Sequence, residues 1–68
     1  MTKFAKRLRE LREEKDYSQR HMARELGISK TTYWKYELGA FEPNHTMTTK
    51  IAEFFDVTTD YLLGRTEI

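Results

Sequence analysis

The sequence predicts an all-α fold: a compact five-helix domain, residues 1–68, joined by short loops. Three observations carry that prediction. From Phe4 onward, apolar residues recur at helical spacing. Ser18, Ser29, Asn44 and Thr58 stand ahead of apolar stretches, where a helix start needs a capping side chain, and Gly27, Gly39 and Gly64 stand behind them. At 68 residues the chain also has room for one small core, and a substrate cleft of ordinary size would consume most of it.

The first helix is set by Phe4, Leu8 and Leu11, with Lys3, Lys6, Arg7, Arg9, Glu10 and Glu13 on its other faces. Lys15, Asp16 and Tyr17 end it, Asp16 being suited to a left-handed turn. Ser18 caps a second helix, with Tyr17 placed to staple against Met22. Met22, Ala23 and Leu26 form its buried stripe, and Gly27 stops it. Ser29 caps a third, with Ile28 placed against Tyr33. Its inward stripe is Thr32, Tyr33 and Tyr36, and Gly39 ends it.

Asn44 caps a fourth helix whose apolar side is Met47, Ile51, Ala52, Phe54 and Phe55. Thr48 and Thr49 are weak helix formers, so its first turn is expected to be loose. Asp56 makes the next turn, and Thr58 caps a short fifth helix anchored by Val57, Tyr61, Leu62 and Leu63. Gly64 ends that helix, and the last four residues read as a frayed tail or the edge of a linker.

Two capped helices around Gly27 make a helix-turn-helix, over about residues 18–38. Ala23 is small enough for the two helices to cross closely. The third helix, about residues 29–37, then turns an outward face bearing Ser29, Lys30, Thr31 and Lys35, short polar and basic groups suited to reading DNA. Gln19 opens the second helix, where its amide and the free backbone N–H groups can meet a phosphate.

The run from Arg7 through Gly39 resembles the helix-turn-helix family of phage repressors and Cro proteins, the xenobiotic-response-element family of transcription regulators. Ser18-Gln19, Leu26-Gly27-Ile28-Ser29, Tyr36-Glu37 and Glu42-Pro43 fall in that family's order and spacing. So do Ile51 to Val57 and Asp60 to Gly64, and the resemblance covers nearly the whole chain. It implies a lambda-repressor-like fold whose third helix enters the major groove of double-stranded DNA. It also implies that Gln19 contacts backbone phosphate, that Ser29, Lys30, Thr31, Trp34 and Lys35 face the DNA, and that Arg12 and Glu37 form a structural ion pair.

The chain departs from the family pattern at three places. Tyr33 and Trp34 are bulkier than usual; Tyr33 is expected in the core, and Trp34 is either a DNA-facing wedge or a protein contact. The loop Gly39-Ala40-Phe41-Glu42 lacks the family's basic residues, and His45 and Thr48 replace apolar ones.

Charge sorts along the chain. The formal net charge is only +1, but residues 1–35 hold 10 Lys or Arg and 5 Asp or Glu, a balance of +5. Residues 36–68 hold 2 and 6, a balance of −4. The positive half carries the motif, as one-sided docking on phosphate requires.

Other chemistries find little support. His21 and His45 are 24 positions apart and there is no cysteine, so no metal site and no cofactor is expected. No catalytic constellation or phosphate-binding glycine loop is present, so the chain is not expected to be an enzyme. It has no run long enough for a membrane span, and a cytoplasmic location is expected.

The expectation is therefore a sequence-specific DNA-binding transcription regulator, of repressor type. One domain reads about four or five base pairs, so a homodimer on a palindromic operator is expected, with Phe41, Tyr61 and Leu62 as its interface. The rival is a protein-interaction module, weak in DNA binding, that uses Tyr33, Trp34, Leu38 and Phe41 as an apolar patch.

Overall fold

Local chemistry fixes each helix start. In the computed structural model, which describes residues 2–67, five helices form, with no strand among the described residues. They are α1 (Lys3–Glu14), α2 (Gln19–Leu26), α3 (Lys30–Leu38), α4 (His45–Phe55) and α5 (Thr59–Leu62). At each start the capping side chain accepts a hydrogen bond from the backbone N–H three residues on. Ser18 accepts from His21 at 3.0 Å, Ser29 from Thr32 at 3.0 Å, Asn44 from Met47 at 2.8 Å and Thr58 from Tyr61 at 3.0 Å. Thr2 caps α1 in the same way, accepting from Ala5 at 3.1 Å. Each bond satisfies a donor that helix geometry leaves without an acceptor.

The turn between α2 and α3 depends on Gly27, whose φ of 71° lies in the left-handed region that a side chain disfavours. There the Ile28 N–H reaches back to the Ala23 carbonyl at 3.0 Å, closing α2 while the chain reverses. Asp16 and Asp56 take similar conformations, with φ of 60° and 56°. Lys50 adds a long-range cap: its Nζ donates to the Leu26 carbonyl at 3.1 Å, at the negative end of α2.

Helix α3 packs on α1 and α2, and α5 bridges α1 and α4. The core they enclose contains Phe4, Leu8, Met22, Leu26, Tyr33, Ile51 and Leu62, all fully buried. Tyr17, ahead of α2, lays its ring 4.3 Å from His21 and 6.1 Å from Phe54 between centroids, which ties the start of α2 to α4.

Three expectations change. Leu62, expected at a dimer interface, is 0% exposed and plugs the core, so it cannot meet a partner while the domain is folded. The first turn of α4 is regular despite Thr48: that residue is buried, and its hydroxyl donates to the Asn44 carbonyl at 2.9 Å, so no polar group is stranded. The chain after α5 is also not frayed as far as residue 67. The Arg65 N–H donates to the Asp60 carbonyl at 2.8 Å, and the Arg7 guanidinium donates to the carbonyls of Tyr61 and Thr66. Ile68 lies outside the described residues.

Candidate nucleic-acid interface

Helix α3 is split between two environments. Tyr33, Tyr36 and Glu37 are buried, while Lys30, Thr31, Trp34 and Lys35 are exposed. The split follows from helical periodicity, because residues 33, 36 and 37 share one face and residues 30, 31, 34 and 35 share another.

Beneath the exposed face, one buried carboxylate ties three helices together. Glu37 accepts two parallel bonds from Arg12 of α1, Nε to Oε2 at 2.6 Å and Nη2 to Oε1 at 3.0 Å. The Tyr33 hydroxyl donates to Oε2 at 2.5 Å, and the Gln19 amide nitrogen of α2 donates to Oε1 at 3.1 Å. Arg12 keeps one nitrogen for the Tyr17 carbonyl, at 2.8 Å, just before the α2 cap. The fork of Arg12 matches the geometry of a carboxylate, a match that the single ammonium of lysine lacks.

The protonation states follow. Burial alone would push the Glu37 carboxyl up, but the hydrogen bonds from Arg12, Tyr33 and Gln19 outweigh it and hold the group below the ordinary glutamate value. The hydrogen bond to Glu37 raises Arg12 despite its partial burial. Burial, and then the bond to Glu37, pushes the Tyr33 hydroxyl well above its usual range. The network is thus a fixed ion pair with a neutral tyrosine. No buried side-chain polar atom among the described residues lacks a partner.

The sequence-expected site residues group around this network in different ways. Gln19, Lys30, Thr31 and Trp34 line one shallow hollow between the start of α2 and the first turns of α3. A second hollow, next to it, is lined by Arg9, Arg12, Gln19, Trp34, Glu37 and Leu38. Gln19 and Trp34 border both. Lys35 is exposed on α3 but lines neither. The Ser29 hydroxyl is engaged at the cap, where it accepts from the Thr32 N–H and donates to the Thr32 hydroxyl at 2.9 Å.

The residues expected at a dimer interface sit in different surroundings. Phe41 stands edge-on to Tyr36, with centroids 5.4 Å apart. Tyr61 lies under Arg7, whose guanidinium carbon is 4.3 Å from the ring centroid. Leu62 is inside the core.

Sequence reasoning missed Arg9, Arg7 and the Tyr33 hydroxyl. The spacing of Tyr33 and Glu37, one turn apart on α3, was a usable signal for the last of these. Arg9 is three residues before Arg12 on the same side of α1, a second usable signal. Nothing local marks Arg7, because its partners are 54 and 59 residues away.

With this geometry, the fold and site define a helix-turn-helix domain, and residues 5–68 match the family of that description. The chain is 44% identical over 63 residues to the SPbeta prophage-derived uncharacterized HTH-type transcriptional regulator YonR of Bacillus subtilis (strain 168), covering 93% of this chain and 58% of that protein. It is 46% identical over 59 residues to the HTH-type transcriptional regulator AnsR of the same strain, covering 87% and 51%. It is 34% identical over 64 residues to the cryptic phage CTXphi transcriptional repressor RstR of Vibrio cholerae, covering 94% and 57%. The chain belongs to this phage-repressor-like helix-turn-helix family. It spans little more than half the length of these three relatives.

Proposed function

We propose that this chain is a sequence-specific, double-stranded DNA-binding domain of a transcription regulator of repressor type, acting in the cytoplasm. Helix α3 enters the major groove, and a homodimer reads a palindromic operator. The observation that carries this reading is the division of α3: one face is committed to the core and to Glu37, while the other presents Lys30, Thr31, Trp34 and Lys35. The relatives' names, transcriptional regulator and transcriptional repressor, support the same reading.

In this arrangement the bond from Gln19 to Glu37 sets the start of α2 at a fixed height beside α3. Gln19 and the unbonded N–H groups of the first turn of α2 then meet a phosphate, and Ser29 holds the start of α3 rigid. Lys30 and Lys35 reach guanine O6/N7 or phosphate, and Thr31 meets a base edge. Phe41 and Tyr61 remain the surface residues proposed for the dimer contact.

Binding-site selection from random duplexes tests the whole reading, because it reports binding, half-site symmetry and spacing together. Thr31→Ala and Lys30→Ala should change the selected site, each costing about 1–3 kcal/mol if it makes a direct base contact. Gln19→Ala should weaken all sites alike. Identical sites selected by wild type and both variants would remove the base-reading roles.

Trp34, Leu38 and Phe41 are the exposed large hydrophobic residues among those described, which favours a second reading as a protein-interaction module. The dependence of binding on salt separates the two. Phosphate contacts give a steep loss of affinity with rising salt, and binding that is absent or flat at low salt selects the interaction module.

A further inference from the structure

Resting on the reading that α3 lies in the major groove, we infer that Trp34 makes the domain a thymine reader: its indole takes the 5-methyl group of a thymine in each half-site. Trp34 is 45% exposed, and its indole has no hydrogen bond or ring contact with any described residue. Trp34 is also not part of the buried core.

Its direction follows from helix geometry. Side chains on a helix lean toward its N-terminus, so a long side chain at position 34 covers the preceding turn. That turn holds Lys30 and Thr31, and the three residues line one hollow with Gln19. Trp34 also borders the hollow beside Arg9 and Leu38, so it stands at the edge of the N-terminal part of α3, the part of a recognition helix that reaches base edges.

The chemistry narrows the occupant. Lys30 and Lys35 are exposed on the same side of α3 as Trp34, and their positive charge suits a polyanion and disfavours an uncharged apolar partner. On base edges in the major groove, guanine, adenine and cytosine present hydrogen-bonding groups, and thymine alone adds an apolar one, its methyl. An indole face set against the other bases would strip water from their donors and acceptors and return no hydrogen bond. Set against thymine, it buries a methyl on an apolar surface. Thr31, one turn earlier on the same face, brings a methyl of its own to that side.

The test removes that methyl and nothing else. In the selected duplex, each thymine is replaced singly by deoxyuridine, which pairs identically with adenine. Wild type should lose about four-fold in affinity at one thymine per half-site, the worth of one buried methyl-sized group. Trp34→Ala should bind the unmodified duplex more weakly and respond equally to thymine and uracil at that position. The variant should keep wild-type helicity by circular dichroism, because Trp34 lies outside the buried core and makes no hydrogen bond there. If wild type and Trp34→Ala show the same uracil sensitivity at every position, the inference is overturned while the reading of α3 stands. If the wild-type chain binds no duplex at low salt, that reading falls, and the inference falls with it.

Discussion

Two arginines of α1 have almost the same exposure and do different work. The side chains of Arg7 and Arg12 are 12% and 14% exposed. Arg12 meets a carboxylate that is itself 4% exposed, inside the helix-turn-helix. Arg7 lies over Tyr61, donates to the Tyr61 and Thr66 carbonyls, and pairs at 3.0 Å with Glu67, which is 87% exposed. The cost of breaking each pair is expected to follow the burial of the partner left behind, not that of the arginine. An exposed carboxylate regains water when the arginine leaves, whereas a buried one does not.

That contrast orders the expected effects of mutation and acid. Glu37→Ala should be the most damaging, since it leaves the Arg12 guanidinium and the Tyr33 hydroxyl without their shared partner. Breaking a buried pair from one side costs about 3–5 kcal/mol. A domain of this size has about 3–10 kcal/mol in all, so urea unfolding should show most of its stability gone.

Acid should act through the same group. The folded-state value of Glu37 is depressed, so its contribution is complete above the ordinary glutamate range and is lost as pH falls through the depressed value. Thermal melts between neutral and acid pH should show this loss in wild type and a smaller one in Glu37→Gln, which starts less stable. Equal acid sensitivity in the two proteins would mean that Glu37 is not the group responsible.

Arg7→Ala should cost less, about 1–3 kcal/mol, because the bonds it gives up are only partly buried and its carboxylate partner is exposed. The melting temperature should fall by about 4–8 °C for each kcal/mol. Glu67→Gln should produce no measurable change. A loss from Arg7→Ala as large as that from Glu37→Ala would break the contrast between the two ends of α1.

What could be read from the sequence divides along similar lines. The caps at Ser18, Ser29, Asn44 and Thr58 were legible because each bond spans only three residues, and residue type alone announces it. The pair of Arg12 and Glu37 was legible only through the family resemblance, since no periodicity links residues 25 positions apart. The hold of Arg7 on the chain end was illegible, because a guanidinium bonded to backbone carbonyls leaves no trace in the partners' side chains. The inward side of α5 is not legible at all, because a helix of four residues is too short for its apolar spacing to say whether Tyr61 or Leu62 faces the core. At the candidate interface, helical spacing alone puts residues 30, 31, 34 and 35 on one side of α3, and all four are exposed. The link from Gln19 to Glu37, which joins that face to the core, needed coordinates.

Leu62 also bears on how the chain becomes a folded domain. Helices closed by bonds three residues long form in microseconds or less, far faster than synthesis at about 5–20 residues per second. The first four helices can thus form and re-form while the ribosome is still working. Yet Leu62, buried where α5 meets α1 and α4, belongs to the last of the five helices to be made. Until it arrives, the pocket it fills stays open to water, and the nascent helix-turn-helix has its local shape without a finished interior.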